Sequence, residues 1–480
     1  LTWVKKIGIS TIYVRAATLT TDGMRIKTMI PQQWRSNAGG VPVVLTFNFD
    51  SGLGSHFKEL ANSTIAPDVI AGIVRERTTA LGHGIHVTGV QMDVDCPTRL
   101  LPKYADLLVK IRAGLLASKA LVPGDSFSST ALQTWLNSRD YQELADACDF
   151  VVPQFYEGRT GHTINTVQPI SDASNLARGM DHAESAGKPF FVGLGIYGHS
   201  LLYNERGALI GMYHGMQPED ALRHPSLKLE KQAAIKEGSQ NSGEHLLVLR
   251  AVRPDLNGRG LGYRIAYVLP GAEMLTRELK IFEESRSSHC QGIILYRFPE
   301  LADELSLPLP TIAQALSNHP ATLEIKPTIT GRAVPWSLIG TDKVAKRPPY
   351  EFTLAAESIG TAPTLPGPDA LTMMVRFDHA GLEGCEPGDF DRAATGRFGR
   401  DGSFTACAPA HANAVLFRRF DLRPGARIKS GPIEVGPDGP IPTEIVWEGR
   451  SGSGPNSGIV PVKKSYQVRG SKPPASKTSE

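Results

Sequence analysis

Through its first three hundred or so residues the chain alternates short β-branched runs with longer stretches in which apolar side chains recur every three or four positions. That rhythm is the sequence form of parallel strands joined by crossover helices, an α/β pattern. It predicts strands at Ser10–Arg15, Pro42–Phe49, Val87–Val94, Phe127–Ala131, Phe150–Tyr156, Pro189–Ile196 and Gly292–Phe298. Between them the spacing predicts a helix over Ala66–Leu81, opened by Pro67 and Asp68, with Ile70, Ile73, Val74 and Leu81 on one face. A second helix runs from Pro97 to Lys119, its stripe formed by Leu100, Leu101, Tyr104, Leu107, Leu108, Ile111 and Leu115. Leu1–Ile7 reads as the end of a helix that leads into the first visible strand. The expectation is a (β/α)8 TIM barrel over residues 1–318, with its first strand lying upstream of Leu1.

After the sixth strand the pattern changes to a hairpin signal: HLLVLRAV, then PDLNGRGLG, then YRIAYVLP. It predicts a β-rich insertion over about 204–270. Gly258, Gly260 and Gly262 fall between two strands rather than between strand and helix, so they read as turn glycines, not a phosphate loop. From about Pro320 helical periodicity stops, and short runs such as YEFTLAAES, ALTMMVRFD and AVLFRRFDL predict a small β-sandwich-like domain over 319–450. Gly, Ser, Pro and Lys dominate 451–480, apart from a brief IVPVKKSYQV, and predict a mobile tail.

A length of 480 residues favours more than one domain, and 41% hydrophobic with 21% charged residues is the balance of a globular protein. A net charge of +3 without a basic, aromatic-interleaved run argues against a nucleic-acid partner. No apolar stretch approaches the roughly 20 residues needed for a membrane span. Cys96, Cys148, Cys290, Cys385 and Cys407 are scattered without zinc-site spacing, and only Cys385 and Cys407 are placed to bridge, idle thiols being the simpler reading. His83 and His86 form an H-x-x-H without a partnered carboxylate motif, so no metal is expected; no Walker loop or dinucleotide fingerprint signals a cofactor, and no G-x-S-x-G elbow signals a serine hydrolase.

Candidate chemistry concentrates in GVQMDVD. Alternation along an extended strand puts Gln91, Asp93 and Asp95 on one face and Val90, Met92 and Val94 on the other. In a barrel the apolar face meets the helices, and polar residues at a strand's C-terminal end meet the mouth. Two carboxylates about 6–7 Å apart by strand rise repel, which raises the pKa of one. A carboxyl that stays protonated beside one that stays charged is what general acid catalysis requires. Spacing alone allows equally an ordinary polar strand end, with Asp95 capping the helix that begins at Pro97.

Taken in order, four strands resemble those of the family 18 glycoside hydrolases, the chitinase-like barrels. GVQMDVD resembles the D-G-x-D-x-D-x-E strand, with Gln91 on an Asp position, Asp93 on the Asp that orients the substrate's acetamido group and Asp95 on the Glu that acts as acid. VVPQFYE resembles the M-x-Y-D strand, placing Gln154 on the Met, Tyr156 on the tyrosine that binds the acetamido oxygen and Glu157 on the following Asp. GLGIYGHS resembles G-L-P-F-Y-G-R-S around Tyr197, and QGIILY is similar to G-G-V-M-F-W, with Tyr296 where a Trp floors the sugar subsite. A closer resemblance is to a bacterial family of such barrels, classed as a domain of unknown function, in which a V-Q-x-D-x-D strand stands in this place. The chain departs from the hydrolase pattern at Asp95, one methylene shorter than Glu, and at Gln91, which cannot share a proton as Asp does.

What the resemblance implies is a retaining, substrate-assisted hydrolase of N-acetylhexosamine-containing glycans, with Asp93, Asp95 and Tyr156 catalytic. The alternative is a catalytically inactive glycan-binding barrel. Arg15, Asn48, Asp50 and Trp135 lie near strand ends as further sugar-binding candidates, although a Trp so placed is more often a packing residue than a sugar platform and Arg15 is equally a neutraliser of the acidic strand. The partner implied is a carbohydrate, the chain is expected to be a monomer, and glycan substrates imply a periplasmic or secreted location.

Overall fold

Seven strands lie parallel in one sheet: β1 (Ile12–Asp22), β3 (Val43–Phe49), β4 (Val87–Asp93), β5 (Ser126–Leu132), β6 (Phe150–Gln154), β7 (Phe190–Gly195) and β13 (Cys290–Tyr296), while β2 (Arg25–Pro31) folds back antiparallel on β1. The computed structural model describes residues 4, 6–22, 25–31, 34, 40–157, 161–254, 260–299, 303–334, 347–399, 402–452 and 454–462. Spatial order is β13-β7-β6-β5-β4-β3-β1-β2, so consecutive parallel strands are neighbours throughout, the order of a (β/α)8 barrel. All seven expected strands are present, and β2 is an addition that the hydrophobic pattern did not signal.

The alternation along β4 explains its setting. Val90, Met92 and Val94 are buried in the main apolar cluster with Leu107, Leu108 and Ile111 of the helix Leu101–Ala117, the outward face meeting its helix. Each such side chain contributes roughly 1.5–3 kcal/mol on full burial. The preceding helix spans Asn62–Gly82 and so begins earlier than Pro67, which lies inside it. Asn62 is the reason: its side-chain amide donates to the Lys103 carbonyl at 2.7 Å and to Asp106 at 2.8 Å, tying the first turn to the next helix.

Between β7 and β13 the chain builds an antiparallel sheet from β8 (His199–Tyr203), β9 (Leu209–Met212), β10 (Leu227–Glu237), β11 (Gln240–Ala251) and β12 (Arg264–Pro270), in the order β10-β11-β12-β8-β9. HLLVLRAV and YRIAYVLP are paired antiparallel in β11 and β12. Gly258 lies outside the described residues, and Gly262, with φ of 90°, occupies the turn that returns to β12. The helix Ala272–Glu284 then leads back to β13.

Beyond the barrel, two antiparallel sheets share one core, with Phe352 and Leu354 on one side and Met373, Val375, Phe417, Ile445 and Trp447 on the other. Their packing is that of a β-sandwich. Gly454–Pro461, placed in the tail by composition, is instead an edge strand paired along its length with Pro442–Ser451. Backbone pairing with a formed neighbour outweighs its weak propensity. Residues from 463 onward lie outside the described residues. Among the described residues, no helix is long and apolar enough to cross a membrane, and all five cysteines are free thiols.

Candidate functional site

The C-terminal ends of the parallel strands form the mouth, and their inward side chains form layers across it. In the deeper layer Gln91 spans two neighbours: Thr46 of β3 donates to its Oε1 at 3.5 Å, and its Nε2 donates to Ser128 of β5 at 3.4 Å. Gln91 is thus buried support below the mouth. One layer up, Asp93 accepts a hydrogen bond from Thr130 Oγ1 at 2.7 Å and one from Gln154 Nε2 at 3.3 Å, both on the same oxygen. Burial pushes the Asp93 carboxyl above its ordinary range, opposed by those two bonds and by the Arg15 charge.

Asp95 follows the end of β4 and is exposed at the rim. Desolvation by the surrounding walls, then the charges of Asp93 and Glu157, push its carboxyl up to about 6. It does not cap the next helix, which begins as a 3-10 turn at Thr98–Leu100 without a side-chain cap. The two readings that spacing left open therefore separate: Asp95 faces the acidic mouth.

Three tyrosines gather on the opposite wall. Tyr156 and Tyr296 stack at 5.4 Å with an interplanar angle of 10°, and Tyr197 stands edge-on to both at 6.1 and 5.3 Å. The close approach needs Gly195, because a Cβ there would lie 2.9 Å from Tyr156 Cβ. Tyr197 donates its hydroxyl proton to Glu157, whose φ of 58° turns it back toward the mouth, and the Arg297 guanidinium lies 5.8 Å from the Tyr197 ring centroid. Arg297 is held in turn by Asp303 at 2.8 Å. Tyr296 is 47% exposed and leaves an apolar ring face open to an incoming group.

The remaining candidates divide. Arg15 is exposed, and its charge reaches Asp93 and Tyr296. Asn48 stands in register with Asp93 on the adjacent strand and accepts a bond from Thr18 at 2.9 Å. Asp50 is committed to local structure, accepting from Leu53 N at 2.7 Å as the N-cap of the helix Ser51–His56 and from Thr20 at 2.6 Å. Trp135 is not a sugar platform: it is fully buried, packs 5.9 Å from Tyr104 and donates its indole N–H to the Cys96 carbonyl at 3.1 Å. Its position past β5 turns it under the chain, where a large ring is worth most as core.

Thr130, Ser128 and Arg297 escaped the sequence reading. SFSSTAL carries hydroxyls on both faces, Ser129 bonding outward to Tyr104 at 2.8 Å while Ser128 and Thr130 point inward, so polarity alone cannot tell the faces apart. Register supplied the missing signal, since Ser128 pairs with Gln91 across β4 and β5.

Residues 40–217 match the family model described as a domain of unknown function, DUF3142, a segment that contains β3 to β9. No curated protein matches the chain. Among solved structures it is similar to a chitinase from Chromobacterium violaceum, at 12% identity and a TM-score of 0.42 over 66% of this chain and 95% of that one. It is also similar to a glycoside hydrolase family 18 N-acetylglucosaminidase from Paenibacillus barengoltzii, at 12% identity and a TM-score of 0.40 over 66% and 95% of the two chains. Chitinase ChiA74 from Bacillus thuringiensis is similar at 11% identity and a TM-score of 0.37, over 87% of this chain and 80% of its own. These likenesses are distant; strand order and pairing carry the barrel assignment.

Proposed function

We propose that the barrel is a glycoside hydrolase acting on N-acetylhexosamine-containing glycans by a retaining, substrate-assisted mechanism. The observation that carries this reading is the unequal carboxyl pair: Asp93 is half-buried and hydrogen-bonded by Thr130 and Gln154, and Asp95 is at the rim with its pKa raised to about 6. Two carboxyls whose surroundings differ in this way divide into a positioning base and a proton donor.

In the proposed reaction the substrate's acetamido oxygen attacks the anomeric carbon as the glycosidic C–O bond breaks. The bond's electron pair goes to the leaving oxygen, which takes the proton of Asp95. Asp93 accepts the acetamido N–H and balances the positive charge of the cyclic oxazolinium ion, and Tyr156 donates to the acetamido oxygen. Water then yields a proton to the Asp95 carboxylate as its oxygen attacks the anomeric carbon from the face the leaving group left, while the bond from that carbon to the acetamido oxygen breaks and its electron pair returns to the acetamido group. Configuration is retained, and carboxylate separation is not diagnostic because the nucleophile belongs to the substrate.

The shorter reach of Asp95 supports one other reading, a barrel that binds glycans without cleaving them. Chromogenic N-acetylglucosamine oligomers, with Asp95→Asn and Asp93→Asn alongside, decide between the two. Turnover lost in either variant is the expected result for a hydrolase. Oligomer binding by a folded wild type with no turnover on any length overturns hydrolysis in favour of binding.

A further inference from the structure

Two glutamates occupy positions that the hydrophobic pattern reserves for apolar side chains. On β11, Glu244 shares its face with Leu246 and Val248, which pack in one cluster with Ile170 and Tyr197. On the helix Ala272–Glu284, Glu278 continues the buried stripe of Met274, Leu275 and Phe282. Both glutamates are 0% exposed. A buried polar group at an apolar position is the informative exception in a core.

Their contacts lead to the mouth. Glu244 Oε1 accepts the backbone N–H of Ile170 at 2.8 Å and that of Ser171 at 3.4 Å, and Glu278 Oε1 accepts the Ser171 hydroxyl at 2.6 Å. The segment they grip is bonded to the site: the Glu157 N–H donates to the Ile170 carbonyl at 2.8 Å, Tyr156 forms a β-bridge with Ser171, and the Asp172 N–H donates to the Phe155 carbonyl at 3.1 Å. The second oxygen of each glutamate, Oε2, is buried with no partner among the described residues. With no cation or donor among the described residues on that second oxygen, the uncharged acid is the less costly form of each carboxyl in an apolar core.

We infer that Glu244 and Glu278 are a neutral, proton-bearing positioning pair that holds Tyr156 and Glu157 at the barrel mouth through Ile170 and Ser171. This role rests on the glycan-directed reading of the mouth for its purpose, though not for its geometry. Burial raises both carboxyls, Glu244 to about 8, and the charge of Glu244 raises Glu278 further. The charged groups around the pair are Glu237 of β10, which raises both, and Arg277 of the same helix as Glu278, which lowers Glu278. Arg277 is already ion-paired to Glu237 at 2.8 Å, so it leaves the two carboxyls without a dedicated counterion. Glu273 begins the same helix. Because the folded values lie above the ordinary carboxyl range, the clamp is complete at low and neutral pH and is lost as pH rises through about 8, where the first charge appears in an apolar core.

The test uses the full chain with ring-carbon-13 tyrosine, which leaves the phenol's acidity unchanged, the Tyr156 resonance being assigned with Tyr156→Phe. In the unsubstituted chain this resonance is expected to move with a midpoint near pH 8, separate from the Asp95 step near 6. Glu244→Gln and Glu278→Gln each keep the accepting oxygen and remove the titrating proton, so the alkaline step should vanish or shift while the lower one stays. No alkaline movement in the unsubstituted chain overturns the inference, and so does an unchanged step in both variants. Either variant suffices if the other fails to fold, and the unsubstituted titration needs neither. Because no glycan is present, an alkaline step in a chain without turnover upholds the pair and counts only against the hydrolase reading.

Discussion

Thr130 offers the sharpest test of how the mouth works. Replacing it with Val keeps the shape and removes the hydroxyl that donates to Asp93 at 2.7 Å. A hydrogen bond to a charged acceptor is worth about 1.5–3 kcal/mol. At about 1.4 kcal/mol per factor of ten, its loss strengthens proton binding by Asp93 roughly tenfold to a hundredfold. The Gln154 bond at 3.3 Å and the Arg15 charge remain, so the low end of that range is expected. Asp93 already binds its proton more tightly than an ordinary Asp, and the proposed mechanism requires it ionised to accept the acetamido N–H. The acid limb of kcat/KM therefore moves to higher pH in Thr130→Val, while the limb set by Asp95 stays. The assay is a pH profile on a chromogenic N-acetylglucosamine oligomer, with carbon-13 titration of the Asp93 carboxyl as a readout free of turnover. Thr130→Ser restores the hydroxyl and should restore the wild-type limb. An acid limb and a carboxyl titration that stay put in Thr130→Val refute the reasoning, as does a serine variant that behaves like valine.

Other perturbations follow from the same geometry. If Asp95, with its pKa raised to about 6, is the proposed proton donor, it holds its proton below that value, so kcat/KM falls as pH rises through about 6. Asp95→Glu supplies the missing methylene; since misplacement by about 1 Å costs on the order of a hundredfold, kcat should rise by up to about that factor, measured at the pH optimum between the two limbs. Arg423 donates to the Asp303 carbonyl, at 2.5 Å, and to the Ser306 carbonyl, at 2.6 Å, in the loop whose Asp303 holds Arg297 beside Tyr197. Arg423→Ala should raise KM about tenfold or more with kcat little changed, two charge-assisted bonds being lost from the support of the proposed binding wall. Trp135→Ala should cost about 3–5 kcal/mol in urea denaturation, as for a large buried ring, and a stability loss well under 1 kcal/mol would contradict its place in the core.

Much of the barrel was legible in the chain itself because its determinants are local. Period-two runs and helical stripes specify which faces are apolar, and seven parallel strands in consecutive order are the packing that buries them. Asp93 was legible for the same reason: on GVQMDVD, apolar Val90, Met92 and Val94 must face the helices, so the carboxyl must face the interior. Tertiary structure alone decided the rest, wherever a residue's environment comes from distant chain. β2 and Gly454–Pro461 are strands because formed neighbours offer unpaired backbone, not because their sequences demand it. Trp135 became core because the turn after β5 carries it beneath the chain, 39 residues from the Cys96 carbonyl it bonds. Thr130 became the partner of Asp93 through inter-strand register, which alternation within one strand cannot supply. Glu244 and Glu278 stand on the apolar faces of their own elements, but only the closure of the inserted sheet and its helix over Ile170 and Ser171 decides what their carboxyls hold. Periodicity reports which way a side chain points along its own element; what waits at the other end is set by long-range packing.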